Sequence, residues 1–473
     1  MQTKMMDAII ISTPLVWGVR NVINSGVYTL LQGEFDVYLA VPPEGHRSLV
    51  EIGVAEDRII PLYTTPSNRI FSIINLLLKT AHQQFKGTDS DQIFAKWYGK
   101  EQRNASLLKD VVIPHAAKLF KNPERFAWLS NIYCKHSKRS LPKNILNQLL
   151  SIKPAAALST SSVVNWDWPL FNVLQDAGIP TATHILSFDN LTSRGYFPMR
   201  KFDRYFTWQQ AMSDELVYFF GIDPDKITIT GTPQFDFHIL PSCFWNRGKT
   251  SSKLGIDPDK PYIVYCANHH KHTPGELQLI TLLIESLRAM DYFKNFQWVI
   301  RLHPMDQFKR WESFFVDDPN VIISRPWKRE DHLAYWGTPT NDEIALLSNT
   351  LRYAAATVTV ASTVALDSCV TDTPIICVGF HPDKGSAEDN YYHDVHFSHH
   401  YEPIISSGAV SFVQNIEEFI GAMYAAVDNP KGKSTDRQKL KRQVCGTVDG
   451  KAAYRVAEEI SRLAYQSKTG SFQ

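Results

Sequence analysis

The stretch "FQWVIRLHPMD", residues 296–306, decides how the rest of the chain is read. Its first half is aromatic, apolar and β-branched, the composition of a short buried strand. It then breaks into Arg301, His303 and Pro304, and a proline cannot donate to the next rung of a sheet. A buried strand that ends in such groups is either leaving the core or presenting them to a ligand. If Arg301 and His303 are both still in the strand, being alternate residues they point the same way.

Working outward, the same half holds "YIVYCA" (262–267), "VIIS" (321–324), "AAATVTVAS" (354–362) and "PIICVGF" (374–380). Between them lie segments with helical apolar spacing, "GELQLITLLIESLRAM", "DEIALLSNTLRYA" and "TVALDSCVTD". Strands apolar on both faces and alternating with helices predict a parallel sheet covered on both sides. The first half repeats the pattern with "AIIIST", "FDVYLAVP", "RIIPLY", "AAALST", "PTATHIL", "YFTW" and "KITITG". No strand signal interrupts residues 67 to about 150, which reads as a helical insertion.

A chain of 473 residues exceeds what one core serves, since single cores stop growing near ~300 residues. The expected plan is α/β with two Rossmann-like domains: 1–235 carrying the insertion, a Pro-, Ser- and aromatic-rich linker at 236–253, and 254–445. Residues 446–473 contain the amphipathic "GKAAYRVAEEISRLAYQ", expected to pack back on the first domain.

Lys plus Arg is 49 against 48 for Asp plus Glu, so no global field recruits nucleic acid. The six cysteines include no C-x-x-C pair, as expected of reduced cytosolic thiols. No stretch approaches the ~20 apolar residues of a spanning helix, and the apolar run before Pro14 is short for a secretory signal. The expected location is the cytoplasm, with peripheral association at the inner membrane face left open. "GIDPDK" occurs at 221–226 and 255–260, each time where Gly stops a helix and Asp-Pro opens a turn, so it is read as a turn.

Ligands of open α/β sheets bind beyond the carboxyl ends of the strands, and four such ends are polar. "RLHP" offers Arg301 and His303. "ASTVALD" puts Ser362 and Thr363 where a helix begins, with Asp367 one turn on. "YCANHHKHTPGE" fills a loop with Asn268, His269, His270, Lys271 and His272, a cationic phosphate loop more than a zinc site because separated ligands are lacking. "ITGTPQFD" places Gly231 and Thr232 beside the connector.

With "RLHP" and "ASTVALD" in this order, the chain resembles the two-domain nucleotide-sugar glycosyltransferases of the GT-B fold. It is similar in particular to bacterial surface-polysaccharide enzymes with His-Pro and Ser-Ser/Thr motifs. These include transferases that use cytidine-monophosphate sugars and CDP-glycerol glycerophosphotransferases. The resemblance implies two Rossmann-like domains facing across a cleft, a cytidine- or uridine-type sugar donor, and a surface-polysaccharide or lipid-linked glycan acceptor. It implies no cofactor beyond the donor and no metal. His303 would then contact the donor phosphate or base, Ser362 and Thr363 the phosphate, and Asp367 a sugar or ribose hydroxyl, while Trp327 would stack on the base or else be an exposed core-edge tryptophan. Arg301 would add charge at the phosphate.

On the acceptor side "HILSFDNLTSRGYFP" follows a strand, in the place held by "HVEAGLRS"-like segments of UDP-N-acetylglucosamine 2-epimerases and "WHGTPLK"-like segments of glycerophosphotransferases. It matches neither residue for residue. An inverting transfer needs a base for the acceptor hydroxyl. Asp189 is the first candidate and His184 the second, set against an Asx-turn in which Asp189 or Asn190 bonds its own backbone. Arg194 is placed to meet phosphate, and Arg20 and Asn21, in a strand-to-helix loop, to meet the acceptor. A transfer of polyol phosphate, an epimerisation and a non-catalytic binding subunit are the rival functions. "YYHDVHFSHHYEP" carries His393, His396, His399 and His400, read as a solvated loop. The insertion is rich in Lys and Arg and suits anionic lipid headgroups, or else a solvated face.

Overall fold

The computed structural model describes residues 6–66, 68–88, 93, 107–161, 166–194, 201–270, 272–306, 308–326 and 338–468. In the first half, strands β1 (Ala8–Ser12), β2 (Asp36–Val41), β3 (Ile59–Pro61), β4 (Ala156–Ser159), β5 (Thr181–His184), β6 (Arg204–Thr207) and β7 (Ile227–Ile229) form one sheet. In the second half, β8 (Tyr262–Cys266), β9 (Gln297–Arg301), β10 (Val321–Ser324), β11 (Ala356–Thr359), β12 (Ile375–Val378) and β13 (Ser411–Val413) form another.

The orders are β3-β2-β1-β4-β5-β6-β7 and β10-β9-β8-β11-β12-β13, and every pairing is parallel. Both sheets therefore reverse direction once, beside β1 and beside β8. That reversal opens a crevice at the carboxyl ends where loops diverge. Two Rossmann-like domains are the architecture expected from the alternation of strands and helices.

The strands run apolar because helices cover both faces: β1, β4, β8, β9, β11 and β12 are buried throughout. Strand β13 had no clear sequence signal. It spans three residues at the sheet edge, two of them only partly buried, so nothing there demanded a long apolar run.

Helix Ala452–Lys468 lays Val456, Ile460 and Leu463 against Ile9, Val27 and Leu31 of the first domain. Its start is fixed by Asp236, whose two carboxylate oxygens accept from Gly450 N at 3.0 Å and Ala452 N at 2.8 Å. The segment between the sheets is itself packed. Phe237, Cys243 and Trp245 are buried against Ile344 and Ala345 of helix Asn341–Tyr353. Asn349 ties the two, donating to Cys243 O at 2.7 Å and accepting from Trp245 N at 3.2 Å. Across the gap between the sheets, Asn24 of the first domain donates to Pro339 O at 2.9 Å.

Candidate functional site at the facing strand ends

Because β9, β8 and β11 are neighbours, the loops that follow them share one rim. Ala267 N bonds Arg301 O at 2.9 Å and Thr359 Oγ1 bonds Cys266 O at 3.0 Å, so the three ends are locked level. His303 stands beyond β9 with Nδ1 accepting from Met305 N at 3.1 Å, which leaves the proton on Nε2. The His269 ring lies 6.0 Å from that of His303, 5.8 Å from His272 and 4.2 Å from His270. Two separate loops thus bring four imidazoles together. Among the described residues no group of three or more His, Cys, Asp or Glu side chains is disposed to hold a metal ion.

On the neighbouring loop, the Ser362 backbone is clamped by the Tyr401 hydroxyl, which accepts from Ser362 N at 3.2 Å and donates to Ser362 O at 3.2 Å. Thr363 starts helix Val364–Thr371 without a side-chain cap bond. The clamp fixes Ser362 by its backbone and does not use its hydroxyl. Asp367 has one oxygen held by His238 Nε2 at 2.7 Å, and His238 Nδ1 meets Ser348 Oγ at 3.0 Å.

Arg301 departs from expectation. Strand β9 stops at Arg301, so alternation no longer relates its direction to that of His303. Its guanidinium is buried and donates to Ser324 Oγ at 3.0 Å, Arg325 O at 2.7 Å and Pro326 O at 3.1 Å. Burial lowers its pKa to about 10. The register Arg301↔Ser324 explains the choice, since the strand neighbour on the same side is the nearest acceptor. The side chain fastens the loop after β10 and does not reach for a donor phosphate.

Three polar residues on this rim escaped the sequence reading. Glu276 is fully buried at the first turn of helix Glu276–Arg288 and accepts from Asn268 N at 2.8 Å. Its other oxygen has no hydrogen bond, and burial pushes the carboxyl up to about 8. Asp306 gathers His270 at 3.2 Å, Arg310 at 3.0 Å and Trp311 Nε1 at 2.9 Å, so it sets the height of the imidazole loop. His381, at the end of β12, is buried with Nε2 unbonded and packs on Gly275, whose φ of +68° and lack of a Cβ make room for the ring. Asp306 meets His270 from 36 residues away and His381 meets Gly275 from another loop, so no local spacing announces these contacts.

In the first domain, Arg20 donates to Asn21 Oδ1 at 3.1 Å and Gln234 Oε1 at 2.8 Å. Burial lowers its pKa to about 10, opposed by the charge of Asp367 from the second domain. The charges of Arg20 and Asp367 thus act on each other from the two domains. Gly231 O accepts from His184 Nε2 at 3.1 Å, and Gly231 itself has φ +74°. Thr232 is buried with its hydroxyl unbonded, as is the Asn21 Nδ2.

His184 is buried and its pKa falls to about 4. It is neutral, its Nε2 proton is on a carbonyl, and Nδ1 keeps its lone pair. With Asn21, Thr160, Leu186 and Pro233 it lines a small cavity. Asp189 is used otherwise. Its carboxylate accepts from Ser187 Oγ and, at 3.0 Å, from Ser193 Oγ, while its carbonyl accepts from Ser193 N at 2.8 Å. It is an Asx-type staple for the turn at Asn190–Arg194, and Asn190 lies buried beside it. Both oxygens of this carboxylate are engaged by hydroxyls of its own turn. The side chains of Arg194 and Trp327 lie outside the described residues.

Further polar groups line the same end of the first sheet. Asp167 is fully buried, with one oxygen bonded by Ser159 Oγ at 2.7 Å and Ser12 Oγ at 3.2 Å and the other unbonded. Burial pushes it up to about 7. The Thr13 and Ser161 hydroxyls nearby in sequence are buried and unbonded too. The histidine-rich segment near residue 396 is a solvated loop only in part, for His399 is exposed in a turn. His393 sits in helix Ala387–Asp394 and His396 is wholly buried, bonded to Tyr392 O at 2.7 Å and packed on Phe412.

No known protein family and no curated protein matches the chain by sequence. The fold does match solved structures over their full lengths. A UDP-N-acetylglucosamine 2-epimerase superposes with a TM-score of 0.53 at 11% identity, covering 100% of this chain and 98% of its own. S. aureus MnaA in its UDP co-structure gives 0.52 at 10%, covering 97% and 96%. A glycosyltransferase from Rickettsia africae gives 0.50 at 11%, covering 98% and 99%. The shared property is the fold, two Rossmann-like domains of the GT-B type.

Proposed function

We propose that this chain is an enzyme of nucleotide-activated sugars, a glycosyltransferase whose second domain grips the donor and whose first domain presents the acceptor. The observation that carries the reading is the asymmetry of the two rims. One gathers imidazoles from two loops beside the hydroxyls of Ser362 and Thr363, while the other offers Arg20 and a neutral His184.

Transfer leaves negative charge on the departing nucleotide phosphate, and fixed donors there lower the barrier. The Nε2–H of His303, the Ser362 and Thr363 hydroxyls and Arg20 supply them. The acceptor hydroxyl must lose a proton as it attacks, and the lone pair on His184 Nδ1 takes it. No covalent intermediate and no cofactor beyond the donor enter this scheme. A cytidine or uridine donor and a surface-polysaccharide or lipid-linked glycan acceptor, met at the cytoplasmic face of the membrane, complete it.

Epimerisation of a UDP-amino sugar is the second reading, favoured by the full-length superposition on UDP-N-acetylglucosamine 2-epimerases. Calorimetric titration with CMP-, CDP- and UDP-sugars, followed by product analysis by NMR, separates them. Transfer or release of the sugar supports the first reading and a new sugar isomer the second. His303→Ala should weaken donor binding about 10- to 100-fold, the range for losing one charge-assisted contact. Absence of nucleotide binding at millimolar concentration in the unaltered protein would remove both readings.

A further inference from the structure

The insertion and the helix before Gly221 flank an open pocket of about 560 Å³, walled by Phe85, Phe120, Phe126, Ala127, Phe219 and Ile222. That volume is in the range of small-molecule sites, ~300–1,000 Å³. It sits between helices Arg69–Lys86, Pro123–Ser137 and Gln210–Phe220, near the start of β6, which is the end of the sheet opposite the crevice. It is therefore separate from the sugar-handling site.

Its lining carries polar groups of several kinds, among them His82, Asn131 and Tyr218 besides two lysines. Lys121 and Lys201 are part of the lining, and the Ser130 hydroxyl, also lining, is buried with no hydrogen bond. Among the described residues no carboxylate lines it. The surrounding surface has the same character, for residues 107–153 hold nine Lys or Arg against Asp110 and Glu124. Apolar side chains are exposed among these cations, Leu107 at 74%, Trp128 at 61% and Leu119 at 58%. Arg125, Trp128 and Lys135 follow at helical spacing along Pro123–Ser137, an aromatic ring flanked by cations. Side chains of this kind anchor proteins at the headgroup level of a bilayer.

We infer that the cavity holds one alkyl chain of an anionic phospholipid, drawn from a bilayer on which the insertion rests, with Lys121 and Lys201 meeting the phosphate. An apolar wall calls for the chain, the two lysines at a carboxylate-free lining call for the negative head, and the exposed Trp128 and Leu119 account for the bilayer. A cavity open only to water would have no use for the last two.

The experiment uses the full chain mixed with vesicles of phosphatidylcholine containing phosphatidylglycerol, then recovered and weighed by native mass spectrometry. A 1:1 adduct of phosphatidylglycerol is expected, with co-sedimentation that drops at least tenfold on pure phosphatidylcholine vesicles. Ala127→Trp, which fills the cavity, should abolish the adduct, and Lys121→Glu, an exposed position that leaves the packing alone, should weaken vesicle binding about tenfold. Circular dichroism establishes that both variants fold, and if Ala127→Trp does not, Lys121→Glu and the vesicle comparison decide. Sedimentation without an adduct, an adduct that survives Ala127→Trp, equal binding to neutral vesicles, or a second copy or a peptide found in place of lipid would each overturn the proposal. None of these readouts depends on turnover, so they stand apart from the sugar chemistry.

Discussion

At the carboxyl ends of β8, β9 and β12 the second domain collects imidazoles, with the carboxylates of Asp306 and Glu276 buried beneath them. At the ends of β1, β4 and β5 the first domain collects hydroxyls, a neutral His184 and the buried Asp167. The sheets are built alike, so the difference lies in the last residues of the strands and the loops that follow them. One rim is rich in donors that suit phosphate, the other in acceptors that suit a neutral polyol. This division of labour is what a two-substrate transfer between domains requires, and it is open to direct attack.

The largest effect should come from the first rim. His184→Gln keeps an N–H near Gly231 O and removes the lone pair, so kcat should fall about 10²- to 10⁴-fold with donor affinity unchanged. Rapid-quench turnover beside calorimetric titration checks this. Loss of donor binding instead would move His184 to the other side of the comparison.

Next is Arg301→Ala on the second rim, which orphans a buried carbonyl, a part-buried carbonyl and a buried hydroxyl. A loss of about 3 kcal/mol in unfolding free energy is expected by urea titration. Below the transition, donor affinity should change little. A large loss of affinity in a folded variant would return Arg301 to the phosphate.

The acid–base character of the second rim sharpens the contrast further. The folded chain holds the Glu276 proton up to about pH 8, whereas the exposed carboxyl releases it near 4.5. Folded protein thus binds more protons across that window, and its contribution to stability declines as pH rises from 4.5 to 8. Glu276→Gln removes the decline, so the variant should gain on the parent between pH 5 and pH 8 in urea midpoint. Parallel curves would mean that Arg310, 3.7 Å from the carboxylate, keeps it ionised throughout.

These residues also mark what could be read without coordinates. The sheets were legible because their strands are buried on both faces and the apolar runs are uninterrupted, as in "AIIIS" and "YIVYC". Strand β13 was not, since an edge of three residues leaves no pattern. In the site, His303 and the Ser362–Thr363 pair were visible because strand ends concentrate ligands. Glu276, Asp306 and His381 were hidden, because each acquires its meaning from a partner brought near only by folding, such as Asn268, His270 or Gly275. Asp189 was visible but misleading: a carboxylate in a polar turn looks the same in sequence whether it faces a substrate or its own backbone.

The smallest effect is accordingly expected at Asp189→Asn. An asparagine side chain keeps an oxygen to accept from Ser193 Oγ, and Ser193 N bonds the Asp189 carbonyl, which the substitution does not touch. The turn at Asn190–Arg194 should persist with a loss near 1 kcal/mol, the cost of replacing a charged acceptor by a neutral one. Turnover should stay within a few-fold of the parent, because the proton acceptor in this scheme is an imidazole on the adjacent strand end. If instead Asp189→Asn erased transfer while urea midpoint and donor affinity held, the hydroxyl-rich rim would still be the acceptor side, but its base would be the carboxylate. The Ser187 and Ser193 bonds would then have to open when the acceptor binds.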